Sequence, residues 1–507
     1  MSLSDRMRIR PVLYPTVLLL VAVLDLVVSA GHGRESAVAG QVSIWAAGRP
    51  LIAATVVGLG ITWALGLLMG DRDMAGLVAA LLIVRLLTDT ESIVMTLAFL
   101  VIFACGFWTA LRVLSARRRH GARRSWRTVT RAGNAVAAIL VVALGIEAIQ
   151  YGQVQTIAHD LVAESPLRPV AATAALAADV PDVYLILLDG HPRQDMLQER
   201  FGIDTSGFTE ALEARGFAVA AQSRSNYPST ELTLASMFGG FSAARDDRAT
   251  DLRRLIDEGP IVDAFRTAGY RITAFATGFE SMAMRGADRF IDSGQLNEVE
   301  WNLLFRSVAG HAISLVAPQV EPDQHYDRIV STFDTLEVEV ATAPDRPRLV
   351  FAHIASPHSP QVFGPDGERL DVGPMDMPFY DQYEYELLGH DEFGRRLAGQ
   401  VAYIDHRVVR VVDRIVAADP AAVIVVFSDH GLRLTPPTDT SDTDVRTANL
   451  LAVRSPGRTG MIHDRSTLVN VLPRILRAYT GSGPADVPET IYDRRADGTF
   501  FEFERPD

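Results

Sequence analysis

The sequence predicts an α/β fold with a doubly wound, mostly parallel sheet, preceded by an α-helical transmembrane bundle. Three observations lead there. The first 152 of the 507 residues are dominated by long apolar runs. After residue 180, short β-branched runs alternate with helical periodicity, the pattern of strands joined by crossover helices. Several of those runs end in polar residues, and ligands gather at the carboxyl ends of strands in such sheets.

Residues 1–152 read as membrane. Pro11–Ala30 follows Arg6, Arg8 and Arg10, and it is long enough for a bilayer core that takes roughly 20 apolar residues. No small-residue cleavage site follows, so it reads as a retained span. Leu51–Met69, Ala75–Leu87, Ile93–Leu114 and Ala135–Gln150 read as further spans, about five helices in all. Asp25, Arg85 and Glu147 fall in these runs, where ionisable groups pair, line a polar cavity or snorkel to an interface. From Arg117 to Arg131 there are seven Arg and no acid. The positive-inside rule makes that loop cytoplasmic, and the Arg-rich N-terminus with it, since four spans separate them. A fifth span then puts everything after residue 152 outside. The expectation is a multi-pass protein of the cell (inner) membrane with an extracytoplasmic C-terminal domain.

Composition narrows the function classes. The net charge of −13 argues against a nucleic-acid partner. Every basic residue is Arg. The one Cys, Cys105, lies in an apolar run. It rules out an intramolecular disulfide and argues against a Cys-based metal site or nucleophile.

Residues 153–180 read as a linker, 181–495 as one α/β domain and 496–507 as a C-terminal tail. Val183–Leu188, Phe217–Ala221, Arg271–Ala276, Arg348–Ile354, Val423–Phe427 and Asn449–Val453 are the expected strands. Helical patterns near Thr205–Arg215, Pro260–Ala268, Tyr326–Ala341, Phe393–Ala418 and Ser466–Tyr479 alternate with them.

Three stretches carry candidate chemistry. Ser225-Asn-Tyr-Pro-Ser-Thr230 runs into a helical pattern, and a helix N-terminus offers unpaired N–H groups to an anion. Alone, the stretch reads first as an N-capped helix with an ordinary hydroxyl pair. Asp189 ends the first strand in Asp-Gly, which alone is also a turn signal. Ser428-Asp-His-Gly431 follows a buried strand and presents Asp429 and His430. Together Asp189, Asp429, His430 and the Thr230 hydroxyl make a four-point site for one divalent metal ion. Mixed oxygen and nitrogen ligands suit zinc or manganese. A Thr hydroxyl is too weakly acidic to attack at neutral pH, and coordination would lower its pKa and position it. Phe351-Ala-His-Ile-Ala-Ser-Pro-His358 supplies two imidazoles. His358, between prolines, is the candidate catalytic acid or donor to the anion. His353 is a candidate substrate contact or a buried structural residue. Asn226 and Tyr227 are candidate substrate-pocket residues beside Thr230. His191 and His463 are weaker candidates.

At these three motifs the sequence resembles the alkaline phosphatase superfamily, in its sulfatase-like branch. Membrane members such as lipoteichoic acid synthases and phosphoethanolamine transferases are the nearest in layout. The resemblance implies that Thr230 is the nucleophile, in Thr230-Glu-Leu-Thr233. It implies that Asp429-His430 is the ligand pair, Asp189 the first acidic ligand and His358 the substrate-side His. True sulfatases use a modified Cys where this chain has Thr. Many transferases carry a second His soon after the Asp-His pair, and here Leu432-Arg433 follows instead.

These readings converge on a membrane-anchored, metal-dependent phosphoester hydrolase or phosphotransferase. It would act on a membrane lipid head group or envelope glycan through a covalent Thr intermediate. Two alternatives stay open: hydrolysis of sulfuric or phosphonic esters at the same site, and a catalytically idle sensor or assembly protein.

Overall fold

The computed structural model describes residues 12–30, 48–69, 72–87, 130–139, 141–142, 180–242, 252–305, 308–372, 381–436, 439–495, 497 and 499–505. They belong to two compact units. One comprises Met1–Gln155 with Asn297–Ala317, the other Thr156–Leu296 with Pro318–Asp507.

In the first unit, helices Tyr14–Ala30, Gly48–Met69 and Arg72–Leu87 occupy the first three expected spans. Gly48–Met69 is long and apolar enough to cross a membrane, with a mean hydropathy of 2.1 and only 11% of that window buried within the protein. Its exposed Ile52, Val56, Trp63 and Leu68 form a surface better matched to lipid than to water. Gly58 lets the first two helices touch, since a Cβ there would lie 2.9 Å from the Thr16 Cα. Residues 130–139 are helical, in part of the stretch expected as the fifth span. Ile93–Leu114, most of the basic loop from Arg117, Glu147 and the side chains of Asp25 and Arg85 lie outside the described residues.

One segment departs from the expected boundaries. Residues 297–317, read from sequence as part of a continuous α/β domain, group with the N-terminal helices. Val299 packs with Val23 and Ala54, and Arg49 donates to Glu300 at 2.8 Å. The segment includes the apolar helix Val308–Val316, whose Leu315 and Val316 are exposed.

The second unit is built on a seven-stranded sheet. Its strands are β1 (Val183–Leu188), β2 (Phe217–Val219), β3 (Arg271–Phe275), β4 (Arg289–Ile291), β5 (Arg348–Ile354), β6 (Val423–Phe427) and β7 (Leu451–Arg454). The order is β2-β7-β6-β1-β5-β3-β4. β6, β1, β5, β3 and β4 run parallel, and β7 and β2 add an antiparallel edge. All six residues of β1 and all five of β6 are buried. Helices therefore cover both faces, and the strands read as continuous apolar runs with no alternation. Tyr184, Ile186 and Leu188 face a core shared with Phe333 and Leu336 of helix Val320–Ala341 and Val408 and Val411 of helix His390–Ala418. On the other face Phe351 of β5 meets Phe238 edge-on, with centroids 5.2 Å apart, so helix Thr230–Gly239 packs there.

The tail proves to be part of this unit. β8 (Tyr492–Arg494) and β9 (Phe500–Glu502) pair antiparallel across the expected boundary at 495. β4 and helices Gln194–Phe201, Leu252–Glu258 and Asp381–Leu388 were not expected. β4 is too short for a periodic signal, and in helix Asp381–Leu388 Asp381 alone is buried.

The amino end of the sheet is fastened by Arg348, only 3% exposed. Its Nε and Nη2 donate to Asp182 Oδ2 at 2.9 and 2.8 Å, Nη2 also reaches the Tyr184 hydroxyl at 2.7 Å, and Nη1 reaches the Glu339 carbonyl at 2.8 Å. Arg348→Ala leaves the buried Asp182 unpaired and is expected to cost about 3–5 kcal/mol. A lowered urea midpoint by circular dichroism checks this; an unchanged midpoint would show that the network adds no net stability.

Candidate metal centre and active site

β6, β1 and β5 are adjacent and parallel, so their carboxyl ends share one edge. Leu187 stands opposite Phe427 on one side and His353 on the other. Asp189 follows β1, Asp429 and His430 follow β6, and His353 and His358 come from the end of β5. The structure thus brings five of the expected side chains together from three chain segments.

The geometry is dense. His430 Nε2 lies 3.5 Å from Asp189 Oδ1 and 3.5 Å from Asp429 Oδ2. Single ligand atoms of Asp189, His358 and His430 all lie within 4.8 Å of one another. Asp429 and His430 are fully buried and Asp189 is 5% exposed. Each group is held from behind. Asp429 Oδ1 accepts the Gly190 N–H at 3.0 Å. Asp189 Oδ2 pairs with His353 Nε2 at 3.0 Å. His430 Nδ1 donates to the Gly431 carbonyl at 2.8 Å. That donation fixes the tautomer and turns Nε2 inward. Gly190 has φ +67°, and a Cβ there would come 3.2 Å from His430 Cε1. The Asp-Gly turn therefore needs glycine for both conformation and space.

Each of the three proposed ligands keeps one buried atom without a hydrogen-bond partner: Asp189 Oδ1, Asp429 Oδ2 and His430 Nε2. Orphaned buried polar atoms are rare and call for an explanation. Two carboxylate oxygens and one imidazole nitrogen form a donor set that fits a divalent cation. Around an ion with ligands at about 2.0–2.1 Å, tetrahedral neighbours stand about 3.4 Å apart, close to the spacing seen here. Without a cation, burial pushes the Asp189 carboxyl up, but His358, His353 and His430 outweigh it and hold the pKa well below the carboxylate range. Burial and Arg433 push His430 down, yet Asp429 and Asp189 outweigh them and raise it.

Thr230 opens helix Thr230–Gly239, after Ser229 in extended conformation, and is 5% exposed. The loop leading to it is moored to the same sheet edge. Ser225 N–H donates to the Thr447 carbonyl at 2.8 Å. The Ser223 hydroxyl bonds Asn449 Oδ1 at 2.8 Å, and Asn449 Nδ2 donates to the Ser428 carbonyl at 2.6 Å. Among the described residues Thr230 makes no hydrogen bond to Asp189, Asp429 or His430.

Several expected roles change. Asn226 is 1% exposed and fully engaged: Nδ2 donates to Thr467 and Thr490, and Oδ1 accepts from Val469 N–H. Tyr227 is buried, stacked on Tyr492 at 5.6 Å and edge-on to Phe500. Both brace the Thr230 loop rather than line a substrate pocket. His353 is 1% exposed and spends Nε2 on Asp189, so it takes the structural role of backing that carboxylate. His358 Nδ1 donates to the Ser359 carbonyl at 2.7 Å, so in this tautomer Nε2 is an acceptor, not a donor to an anion. His191 pairs with Asp405 at 2.9 Å, and His463 stands 3.3 Å from Glu489 at the surface. Sequence reasoning missed Arg433, whose Nη2 bonds His358 Nε2. It also missed Asp381, 4% exposed, which accepts the Ser359 N–H at 3.0 Å. Arg433 could have been found three places after His430, whereas Asp381 lies in a stretch with no motif.

Two measurements test the centre. Below the raised pKa of His430, a proton and a cation compete for Nε2. Zinc affinity is therefore expected to fall by up to about tenfold per pH unit as pH drops through that range, and to level off above it. Equilibrium dialysis with metal analysis reads this, and a flat profile would remove His430 from the ligand set. His353→Ala touches no proposed ligand atom that faces the cation, yet it should weaken zinc binding about 10–100-fold by freeing Asp189.

A family model described as Sulfatase matches residues 181–481, more than half of the chain. No curated protein matches by sequence. Among solved structures, the C-terminal periplasmic domain of EcEptC from Escherichia coli is similar at 13% identity and TM-score 0.42, covering 66% of this chain and 96% of that one. A zinc complex of the same domain is similar at 16% identity and TM-score 0.41, covering 64% and 93%. The integral membrane lipooligosaccharide phosphoethanolamine transferase A (EptA) from Neisseria meningitidis is similar at 14% identity and TM-score 0.41, covering 93% and 86%. At these scores the likenesses carry no argument of their own, and the assignment rests on the family match. The chain belongs to the sulfatase family.

Proposed function

We propose that this protein is a membrane-anchored, metal-dependent phosphoester hydrolase or phosphotransferase, with its sulfatase-family unit outside the cell membrane. The observation that carries the reading is the convergence of three buried, partnerless atoms, Asp189 Oδ1, Asp429 Oδ2 and His430 Nε2, at the carboxyl edge of a parallel sheet. Family membership supports the hydrolase or transferase class. The apolar helix Gly48–Met69 supports the anchor. A lipid head group or envelope glycan is the proposed substrate, because an enzyme tethered beside a bilayer meets such esters first.

In this reading Asp189, Asp429 and His430 hold one divalent ion, zinc or manganese, with Thr230 as the fourth point. When bound, the ion would acidify a hydroxyl and offset charge on the ester oxygens. Thr230 Oγ attacks the phosphorus in line, the bond to the ester alcohol breaks, and the Thr proton ends on that alcohol. Water or an acceptor alcohol then attacks phospho-Thr230 and returns the hydroxyl. The first-turn N–H groups of helix Thr230–Gly239 would suit an anion at Thr230. His358 Nε2 accepts from Arg433 Nη2 and stands beside the proposed ligands. The same residues could handle a sulfuric or phosphonic ester, a second reading that the family match favours.

Thr230→Ala is expected to abolish turnover of an aryl phosphate and an aryl sulfate alike, by about 10³-fold or more, with zinc content within about twofold of wild type. Wild-type turnover in that variant would exclude the covalent route. Mass spectrometry of quenched wild-type protein should place the added mass on the peptide that carries Thr230.

A further inference from the structure

Beside the centre stands an arginine with no ion pair among the described residues. Arg433 lies three residues after His430, and its Nη2 donates to His358 Nε2. Its Nε is buried and has no partner. Among the described residues it forms no ion pair, whereas the buried Arg348 and Arg446 of the same unit each pair with a carboxylate. A guanidinium resting on an imidazole nitrogen, with a second N–H pointing at nothing, is an incomplete hydrogen-bonding arrangement.

The surroundings fix it in place. His358 Nδ1 is committed to the Ser359 carbonyl, so Nε2 must accept the arginine. Gln400, fully buried, donates to the carbonyls of Pro357 and His358 at 3.0 and 3.2 Å and steadies that loop. Asp381 feels the charge of Arg433. Its Oδ1 is used by the Ser359 N–H, however, and it stands outside ion-pair distance of Arg433. A planar fork of N–H donors that no carboxylate occupies matches two oxygens of a tetrahedral oxyanion.

We infer that Arg433 is the anion-contact residue of this site, donating to non-bridging oxygens of the substrate and favouring a doubly charged monoester over a singly charged diester. The inference rests on the proposed function and narrows it to a substrate charge. A role limited to holding His358 would predict no such preference.

The test uses purified full-length protein, wild type and two variants, R433Q and R433K, with metal content measured on each. Binding of inorganic phosphate is followed by calorimetry, and turnover with 4-nitrophenyl phosphate and bis(4-nitrophenyl) phosphate. R433Q is expected to weaken phosphate binding by about tenfold or more, and to raise KM for the monoester by a similar factor while the diester changes less than about threefold. R433K should fall between wild type and R433Q, because an ammonium restores charge without the fork, and it decides the matter if R433Q does not fold. Equal losses on both esters would overturn the inference, as would unchanged phosphate binding, or no phosphate binding by metal-loaded wild type. If wild type turns over neither ester and R433Q still loses phosphate, Arg433 keeps its role and the ester chemistry falls instead.

Discussion

Two carboxylate oxygens and one imidazole nitrogen are forced together, away from water and without partners, where two parallel strands end. That electrostatic constraint shapes everything around it. Like-charged carboxylates at this spacing repel, and no described residue offers them a donor on that side. Their other atoms are tied instead: Asp429 to the Gly190 N–H, Asp189 to His353 and His430 to its neighbouring carbonyl. Rigid backing keeps the groups from rotating away to relieve the strain. It leaves a cation as the species that can satisfy all three, and an orienting shell of this kind accounts for much of a metal site's affinity.

The parallel sheet explains why the constraint can exist at all. β1 and β6 are buried on both faces and hold register through their full lengths, so the residues just past them emerge at fixed separation. β5 on the other flank adds His353 within the strand and His358 beyond it. The antiparallel edge has a different duty. β7 begins beside the end of β6, and Asn449 ahead of it links Ser428 to the loop that delivers Thr230. From the far side the hairpin of β8 and β9 covers that loop through Tyr227. Both the turns that carry Asp189 and Asp429-His430 and the helix opened by Thr230 are thus fastened to one rigid frame.

How much of this was legible depended on the kind of signal. β1, β5 and β6 were readable as continuous apolar runs, and their polar ends announced Asp189 and Asp429-His430. Helices such as Pro260–Thr267 and His390–Ala418 showed their periodicity and appeared near the expected bounds. Short elements such as β4 gave no such signal. Asn226 and Tyr227 were misjudged because proximity in sequence to Thr230 says nothing about side-chain direction. His353 and His358, five residues apart, look alike in the chain. One is inside a strand and backs a carboxylate, while the other is beyond it and receives Arg433. The segment 297–317 was assigned to the wrong unit because a continuous pattern of helices hides an excursion.

Read alone, the chain determined its fold class, the polar turns at its strand ends and a nucleophile candidate. Those are local properties, set by hydropathy period, by turn chemistry and by residue type at strand ends. Only the tertiary structure decided which side chains share a space and which atoms are left without partners. Partnering is a balance over groups far apart in the chain, such as Gly190 and Asp429, 239 positions apart, and no local pattern encodes whether the last donor is present or missing.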